Sequence, residues 1–231
     1  MKKVLYVVVA AGFIVAVWYA VSADFRQAVY YQYYTRLKHP EIAGGPCGPN
    51  CNGYNEFLNQ CLLTNTDTLP LFEERKADRM LLTGVIHDFS GRPAADVLLY
   101  VFHTDAQGVY PKRAGATGAE ALNGYIRGWV KTNADGRYYI YTNMPGAYPE
   151  EKTRAHVHCI IKEPDVNVYS LMDFIFPNDP YAEPHETKVP QELNGGLVKD
   201  ITQPGDTMKV FLRDIYLGRG VVNYPPKKKG A

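Results

Sequence analysis

Apolar residues follow two different patterns along the chain. A continuous apolar run occupies Val4–Val21, and from Met80 onward short β-rich runs alternate with turns that contain Gly, Pro, Asn and Asp. The runs are LLTGVIHD, DVLLYVFH, RGWVKT, GRYYIYT, HVHCIIK, YSLMDFIF and TMKVFLRDIYL. No convincing helical period lies between them. About seven short strands in this arrangement predict an all-β fold, an antiparallel β-sandwich.

Two connections in the β-rich part are longer than simple hairpins. They are Pro111–Asn123 and Pro177–Pro204. Loops of this length within a compact domain commonly carry function. We therefore expect long loops around the functional site of the sandwich.

The first apolar run predicts export. Lys2 and Lys3 precede it, which keeps its start in the cytoplasm and places the rest on the extracytoplasmic or periplasmic side. At ~1.5 Å per residue the run nearly crosses a ~30 Å hydrocarbon layer. Trp18 and Tyr19 at its far end favour an uncleaved membrane anchor, whereas Val21–Ala23 also fits a cleavage site. Both alternatives stay open.

Three segments are therefore predicted. Residues 1–23 form a membrane anchor or signal helix, residues 24–78 a stalk with a cysteine-rich lead-in, and residues 79–231 the sandwich domain. The anchored domain would lie outside the cytoplasm. A homo-oligomer or a membrane-complex partner would be compatible with such an anchor and its tyrosine-rich stalk.

Composition narrows the chemistry. The 25 basic and 24 acidic side chains nearly cancel, so nothing favours nucleic acid as a partner. Three cysteines crowd one loop segment and are candidates for a disulfide in an oxidising compartment: Cys47, Cys51 and Cys61. Cys159 lies alone in a later strand, so one or two disulfides are compatible with the sequence. A zinc knuckle is the alternative, but the spacing lacks a paired second half.

His156-Val157-His158 is the sharpest local motif. Alternate residues of a strand share one face, so both imidazoles can reach one ion. The neighbouring Val157, Cys159 and Ile160 are apolar, which predicts a central strand in which two histidines need a polar partner. Two polar side chains on an exposed face are the simpler alternative.

Two tyrosines extend this candidate site. Tyr148 follows a Pro-Gly turn and precedes Pro149, and Tyr110 closes the similar phrase DAQGVYP. A phenol has a pKa of ~10, so a strongly polarising cation such as Fe(III) is needed to keep two phenolates ionised at neutral pH. The tyrosine count of 18 makes such oxygen donors plentiful.

With these residues in place, the sequence resembles the intradiol ring-cleavage dioxygenases, the family of catechol and protocatechuate dioxygenases. The similar phrases are LLTGVIHDFSGRPAADVLLYVFHTDAQGVY, YIRGWVKTNADGRYYIYTNMPGAYP, RAHVH and DFIFPNDP. The first and part of the second also resemble generic transthyretin-like or carboxypeptidase-regulatory sandwich modules and therefore specify the fold alone. The discriminating set is Tyr110, Tyr148, His156 and His158, in that order.

The resemblance implies a role for each of these residues. Tyr110 would be the permanently bound tyrosinate, Tyr148 the tyrosinate that substrate displaces, and His156 and His158 neutral ligands of one non-haem Fe(III). The implied reaction is cleavage of a catechol-type ring by O₂ between its two hydroxyl-bearing carbons, which yields a muconate-type diacid. No organic cofactor or external reductant is implied.

Several positions depart from the family pattern. The family usually carries an arginine three residues before the first histidine, where this chain has Thr153; Arg154 is the candidate replacement cation. Asp173 stands where the family often has a glutamine, and it would repel carboxylated substrates unless Arg154 pairs with it. His103 and Arg127 border the matched phrases and are further candidates for the substrate pocket, although roles in the core or in a hairpin are the favoured alternative.

Two other functions are compatible with the sequence. The chain could be a non-catalytic, membrane-anchored sandwich subunit of a larger assembly with a vestigial metal site. The same fold could also hold zinc or copper at His156 and His158. Oxygen uptake and metal analysis distinguish these alternatives from the dioxygenase.

Overall fold

Two β-sheets dominate the structure, a computed structural model that describes residues 17–20, 43–44, 67–150, 152–164, 168–221 and 224. The strands are β1 (Ala43–Gly44), β2 (Arg79–His87), β3 (Leu98–Phe102), β4 (Arg127–Lys131), β5 (Arg137–Asn143), β6 (His156–Lys162), β7 (Tyr169–Ser170), β8 (Phe174–Ile175), β9 (Lys199–Asp200), β10 (Lys209–Leu212) and β11 (Ile215–Tyr216). Helices are short: α1 (Gly118–Asn123), α2 (Pro184–Thr187) and 3₁₀ turns at Lys76–Asp78 and Gln191–Leu193. The prediction of a mostly β, two-sheet fold is confirmed.

Sheet A contains the predicted metal-binding strand. Its order is β1-β7-β6-β3-β4, and β8 also pairs with β6. Sheet B has the order β11-β2-β10-β9, and β5 pairs with the other side of β2. The central position that the apolar flanks predict for β6 is confirmed, since β3 and β7 pair with its two edges.

The core lies between the two sheets. Every second residue of β2 is buried, as expected for a strand with one face in the core. Leu82 and Ile140 from sheet B and Val101, Val157 and Ile161 from sheet A belong to the same buried cluster. Because odd-numbered residues of β6 enter this core, its even-numbered residues point to the outer face of sheet A.

The prediction of a purely antiparallel sandwich is wrong for three pairings. β10 and β11 both run parallel to β2, and β1 runs parallel to β7. Parallel neighbours need a long connection, and residues 88–208 separate β2 from β10. The other pairings between strands are antiparallel in the part of the chain that the structure describes.

Two of the predicted strands are interrupted. The run YSLMDFIF forms β7 and β8, and the run TMKVFLRDIYL forms β10 and β11. Between β10 and β11 the Asp214 carboxylate accepts the Val85 N–H at 2.9 Å, so a side chain replaces a backbone partner there. The interruption between β7 and β8 faces the candidate site.

The N-terminal predictions fall mainly outside the described residues. No helix among the described residues is long and apolar enough to span a bilayer, and residues 4–16 of the predicted span are not among them. Cys47, Cys51 and Cys61 also lie outside, so their disulfide stays a prediction. Cys159 is a free, buried thiol, which excludes the two-disulfide alternative. Leu69 is buried in the sandwich core, ahead of the predicted domain start at residue 79.

Candidate metal centre

The two histidines of β6 lie side by side on the outer face of sheet A. Their Nε2 atoms are 3.2 Å apart, as the alternation of the strand predicts. Phe102 of β3 is the register partner of His158, and the two rings stack with centroids 4.4 Å apart. The backbone of β6 therefore fixes the position of both imidazoles, and the Phe102 ring also packs against that of His158.

Two tyrosine hydroxyls meet these imidazole nitrogens. Tyr110 Oη is 2.9 Å from His158 Nε2 and 2.6 Å from Tyr148 Oη. Tyr148 Oη is 3.3 Å from His156 Nε2 and 3.5 Å from His158 Nε2. All four residues that the sequence singled out thus converge on one point.

The opposite ring nitrogens of the histidines are already hydrogen-bonded. His156 Nδ1 is 2.7 Å from the Arg154 carbonyl oxygen, and His158 Nδ1 is 2.9 Å from Asp173 Oδ1. Both partners can only accept, so each Nδ1 carries the hydrogen and each Nε2 presents its lone pair to the tyrosines. This is the tautomer that an Nε2-bound metal requires.

Close packing of two loops brings the tyrosines together. Gly146 N–H donates to the Asp105 carbonyl at 2.7 Å, and the Thr104 hydroxyl donates to the Gly146 carbonyl at 2.9 Å. Gly108 has φ +77°, and a Cβ there would lie 1.8 Å from the Ala147 carbonyl oxygen. The loop before Tyr110 therefore rests directly on the backbone that precedes Tyr148.

The protonation states of these groups depend on a cation. Burial and the neighbouring Tyr148 raise the pKa of the Tyr110 phenol far above its ordinary value. Burial and the nearby His158 lower the pKa of His156. The His156 imidazole is therefore neutral and ready to act as a ligand, whereas the Tyr110 phenol ionises only if a positive charge is supplied.

The donor set fits an iron ion. Donors that each lie ~2.0–2.1 Å from one metal are separated by roughly 2.9–3.4 Å at angles of 90–109°. The distances given above span 2.6 to 3.5 Å, so the Tyr110–Tyr148 pair must separate slightly and the Tyr148–His158 pair must approach slightly. Two hard phenol oxygens and two imidazoles suit Fe(III). The ligand assignment itself stays a prediction.

Asp173 and Arg154 lie behind the histidines. Arg154 is 3.6 Å from Asp173 Oδ2 and 2.8 Å from Glu186 Oε1 of α2, so its charge is shared between two carboxylates. Burial opposes ionisation of Asp173, but the charge and hydrogen bond of His158, with smaller effects of His156 and Arg154, lower its pKa to about 2. The pairing of Arg154 with Asp173 is thus present. Glu186 was not foreseen, because nothing in the long loop marks it.

Asp173 also offers an alternative metal site with the two histidines. Ligand atoms of Asp173, His156 and His158 all lie within 4.8 Å of one another. However, Asp173 meets the Nδ1 side of His158, whereas both phenol oxygens meet the Nε2 side. We favour the Nε2 side, because four donors converge there.

The remaining pocket candidates have different placements. His103 is 1% exposed, and its nitrogens lie 2.7 Å from the Thr104 carbonyl and 2.6 Å from the Thr142 hydroxyl. Burial lowers its pKa to about 4, so it is a neutral core histidine and a substrate-facing role does not fit. Arg127 donates to the Tyr100 hydroxyl at 3.3 Å and is the register partner of Phe102. It therefore shares the face of the site, two strands away from His158.

Comparison with known proteins agrees with this fold. The Dioxygenase family model matches residues 55–211, a range that contains all four converging side chains. A protocatechuate 3,4-dioxygenase beta chain of Burkholderia cepacia is 32% identical over 77 residues, which is 33% of this chain and only 33% of that protein.

Solved structures agree at the level of the fold. A 3-chlorocatechol 1,2-dioxygenase of Rhodococcus opacus 1CP has a TM-score of 0.53 at 18% identity, with 93% of this chain and 96% of that one covered. The dioxygenase domain of a dioxygenase–carbohydrate-binding protein fusion from Streptomyces sp. SirexAA-E has a TM-score of 0.51 at 19% identity, with 69% and 92% covered. Because the family model matches well over half of the sequence, the chain belongs to the intradiol ring-cleavage dioxygenase family.

Proposed function

We propose that this protein holds one non-haem Fe(III) through Tyr110, Tyr148, His156 and His158 and uses it to cleave a catechol-type ring with O₂. Cleavage falls between the two hydroxyl-bearing carbons and gives a muconate-type diacid that contains both oxygen atoms. The convergence of two phenol oxygens and two imidazole nitrogens within 3.5 Å contacts is the observation that carries this proposal.

The residues of the proposed centre have different roles in this reaction. When bound by Tyr110, Tyr148, His156 and His158, Fe(III) would supply the positive charge that ionises the phenols and would make the catechol ring reactive towards O₂. His156 and His158 would bind the metal through Nε2, each held by a hydrogen bond at Nδ1. Tyr148, on the turn after Gly146, would be the displaceable donor; its oxygen would take one of the two protons of the incoming catechol, and the second would leave to solvent. The substrate supplies all electrons, so no reductant is needed.

The first test is the visible spectrum of Fe(III)-loaded protein, with Tyr148→Phe as the variant. Wild-type protein should be red-brown from tyrosinate-to-iron charge transfer, and adding catechol should shift the band. Tyr148→Phe should lose intensity and shift the band, because one of two tyrosinates is gone. Tyr139→Phe is the matched control, since Tyr139 is an exposed residue of β5 in sheet B. A colourless wild-type protein without stoichiometric iron ends the proposal.

Oxygen uptake separates the enzyme from the binding-subunit alternative. With a panel of catechols, the dioxygenase consumes one O₂ for each ring cleaved. A protein that binds iron but consumes no oxygen with any catechol is the non-catalytic, anchored subunit instead. Metal analysis that finds zinc or copper would identify the third alternative.

We also propose that this reaction takes place outside the cytoplasm, on a membrane-anchored domain. Lys2, Lys3 and the apolar run that follows support export. A reporter that is active only after export, fused behind residue 38, should be active and should fractionate with membranes. Reporter activity confined to the cytoplasm would refute this location and leave the chemistry untouched.

A further inference from the structure

A β-bulge lies directly opposite the second histidine. Ser170 pairs with Ile160 and Phe174 with Val157, so four steps along one strand match three steps along β6. The extra residue falls at Met172–Asp173, opposite His158. Bulges re-aim side chains beside functional sites, and this one turns the Asp173 carboxylate towards the His158 ring.

The two histidines have chemically different partners. His156 Nδ1 donates to a neutral carbonyl oxygen of Arg154 at 2.7 Å, whereas His158 Nδ1 donates to a carboxylate oxygen of Asp173 at 2.9 Å. A charged acceptor makes a stronger hydrogen bond and draws the Nδ1 hydrogen more strongly. It therefore fixes the His158 ring and leaves its Nε2 the more basic donor.

The carboxylate is itself held from two directions. Its second oxygen, Asp173 Oδ2, lies 3.6 Å from Arg154, which is fixed in turn by Glu186 at 2.8 Å. The bulge backbone is held by the fully buried Arg213, whose Nη1 donates to the Met172 carbonyl at 2.8 Å. The orientation of Asp173 is thus determined before any metal binds.

We propose that Asp173 is the positioning residue of the centre: its carboxylate, carried by the bulge, orients His158 and strengthens it as a donor to the metal. Arg154 and Glu186 secure this carboxylate, so Arg154 acts on the centre through Asp173 and His158 rather than by contact with substrate. This inference rests on the proposed iron site and adds an asymmetry between its two histidines.

The test compares ferric affinity and the charge-transfer band in Asp173→Asn and Asp173→Ala. Asp173→Ala should weaken ferric binding, measured by chelator competition, by about 10- to 100-fold. It should also move the band to longer wavelength, because a weaker His158 leaves the iron more electron-deficient. Asp173→Asn, nearly isosteric, should recover most of the affinity but keep part of the wavelength shift.

Asp135→Asn is the matched control, since Asp135 lies in the exposed turn between β4 and β5 and should change neither reading. Band position and affinity in both Asp173 variants equal to those of wild type, within about twofold, would overturn the inference. If Asp173→Ala does not fold, the position of the charge-transfer band in Asp173→Asn alone tests the inference. A wild-type protein without a tyrosinate band would instead refute the proposed function.

Discussion

His156→Ala should purify without colour and without stoichiometric iron, and oxygen uptake with catechols should fall to background. The substitution removes one of four donors and leaves Tyr148 Oη, now 3.3 Å from His156 Nε2, without its imidazole neighbour. Loss of a direct ligand should exceed the 10- to 100-fold cost of losing an outer partner, so ferric affinity should drop by more than about 100-fold. Iron content, chelator competition and an oxygen electrode measure this outcome.

The control for this variant is His87→Ala. His87 lies at the end of β2 in sheet B, where its ring stacks on Tyr216 with centroids 4.8 Å apart. Its loss should leave the iron content and the spectrum unchanged. If His156→Ala kept full iron and full colour, these four side chains would not be the ligand set, regardless of the oxygen uptake of the variant.

The histidine pair shows why part of this site is readable from sequence. Alternation along a strand is a local property, and the apolar neighbours Val157, Cys159 and Ile160 indicate a buried strand. Both facts predict a shared face, and the 3.2 Å separation of the Nε2 atoms agrees with it. Turn chemistry likewise predicted where most strands end, because Gly and Pro act on their immediate neighbours.

Features that depend on pairing between distant segments were not readable. The bulge that brings Asp173 to His158 arises from the register of β7 and β8 against β6, and nothing in the run YSLMDFIF marks where the extra residue falls. Glu186 reaches Arg154 from a short helix within a long loop. The parallel pairing of β10 with β2 also joins distant segments, since Lys209 is the register partner of Met80. The core partner of His103 was not readable either, because the Thr142 hydroxyl that this histidine contacts is 39 positions away in the sequence.

The placement of Tyr110 and Tyr148 was only partly predictable from the sequence. The similar phrases DAQGVYP and PGAYP indicate two rigid turns, each ending in a tyrosine, but not that the turns touch. The structure shows why each has a glycine: a Cβ on Gly108 would collide with the Ala147 carbonyl, and a Cβ on Gly146 would lie 2.5 Å from the Ala106 carbonyl. Backbone contact at these glycines sets the spacing of Tyr110 and Tyr148.

Gly108→Ala should therefore damage both folding stability and the metal centre. Its φ of +77° costs an alanine ~1–2 kcal/mol, and overpacking against the Ala147 carbonyl at 1.8 Å adds roughly 1–3 kcal/mol. We expect the free energy of unfolding in urea to fall by about 3 kcal/mol. The two loops must also separate, so the hydroxyls of Tyr110 and Tyr148 would no longer lie 2.6 Å apart, and the charge-transfer band should weaken.

Gly91→Ala separates the effect of the positive φ from the effect of the steric clash. Gly91 has a similar φ of +84°, but a Cβ there would meet nothing within 4 Å. It should lose only the backbone contribution, about 1–2 kcal/mol, and keep full iron and colour. Equal losses of stability in the two variants, with an unchanged band in Gly108→Ala, would mean that contact between the loops does not set the tyrosine pair. A selective loss of colour in Gly108→Ala would instead tie the ligand geometry to this single backbone contact.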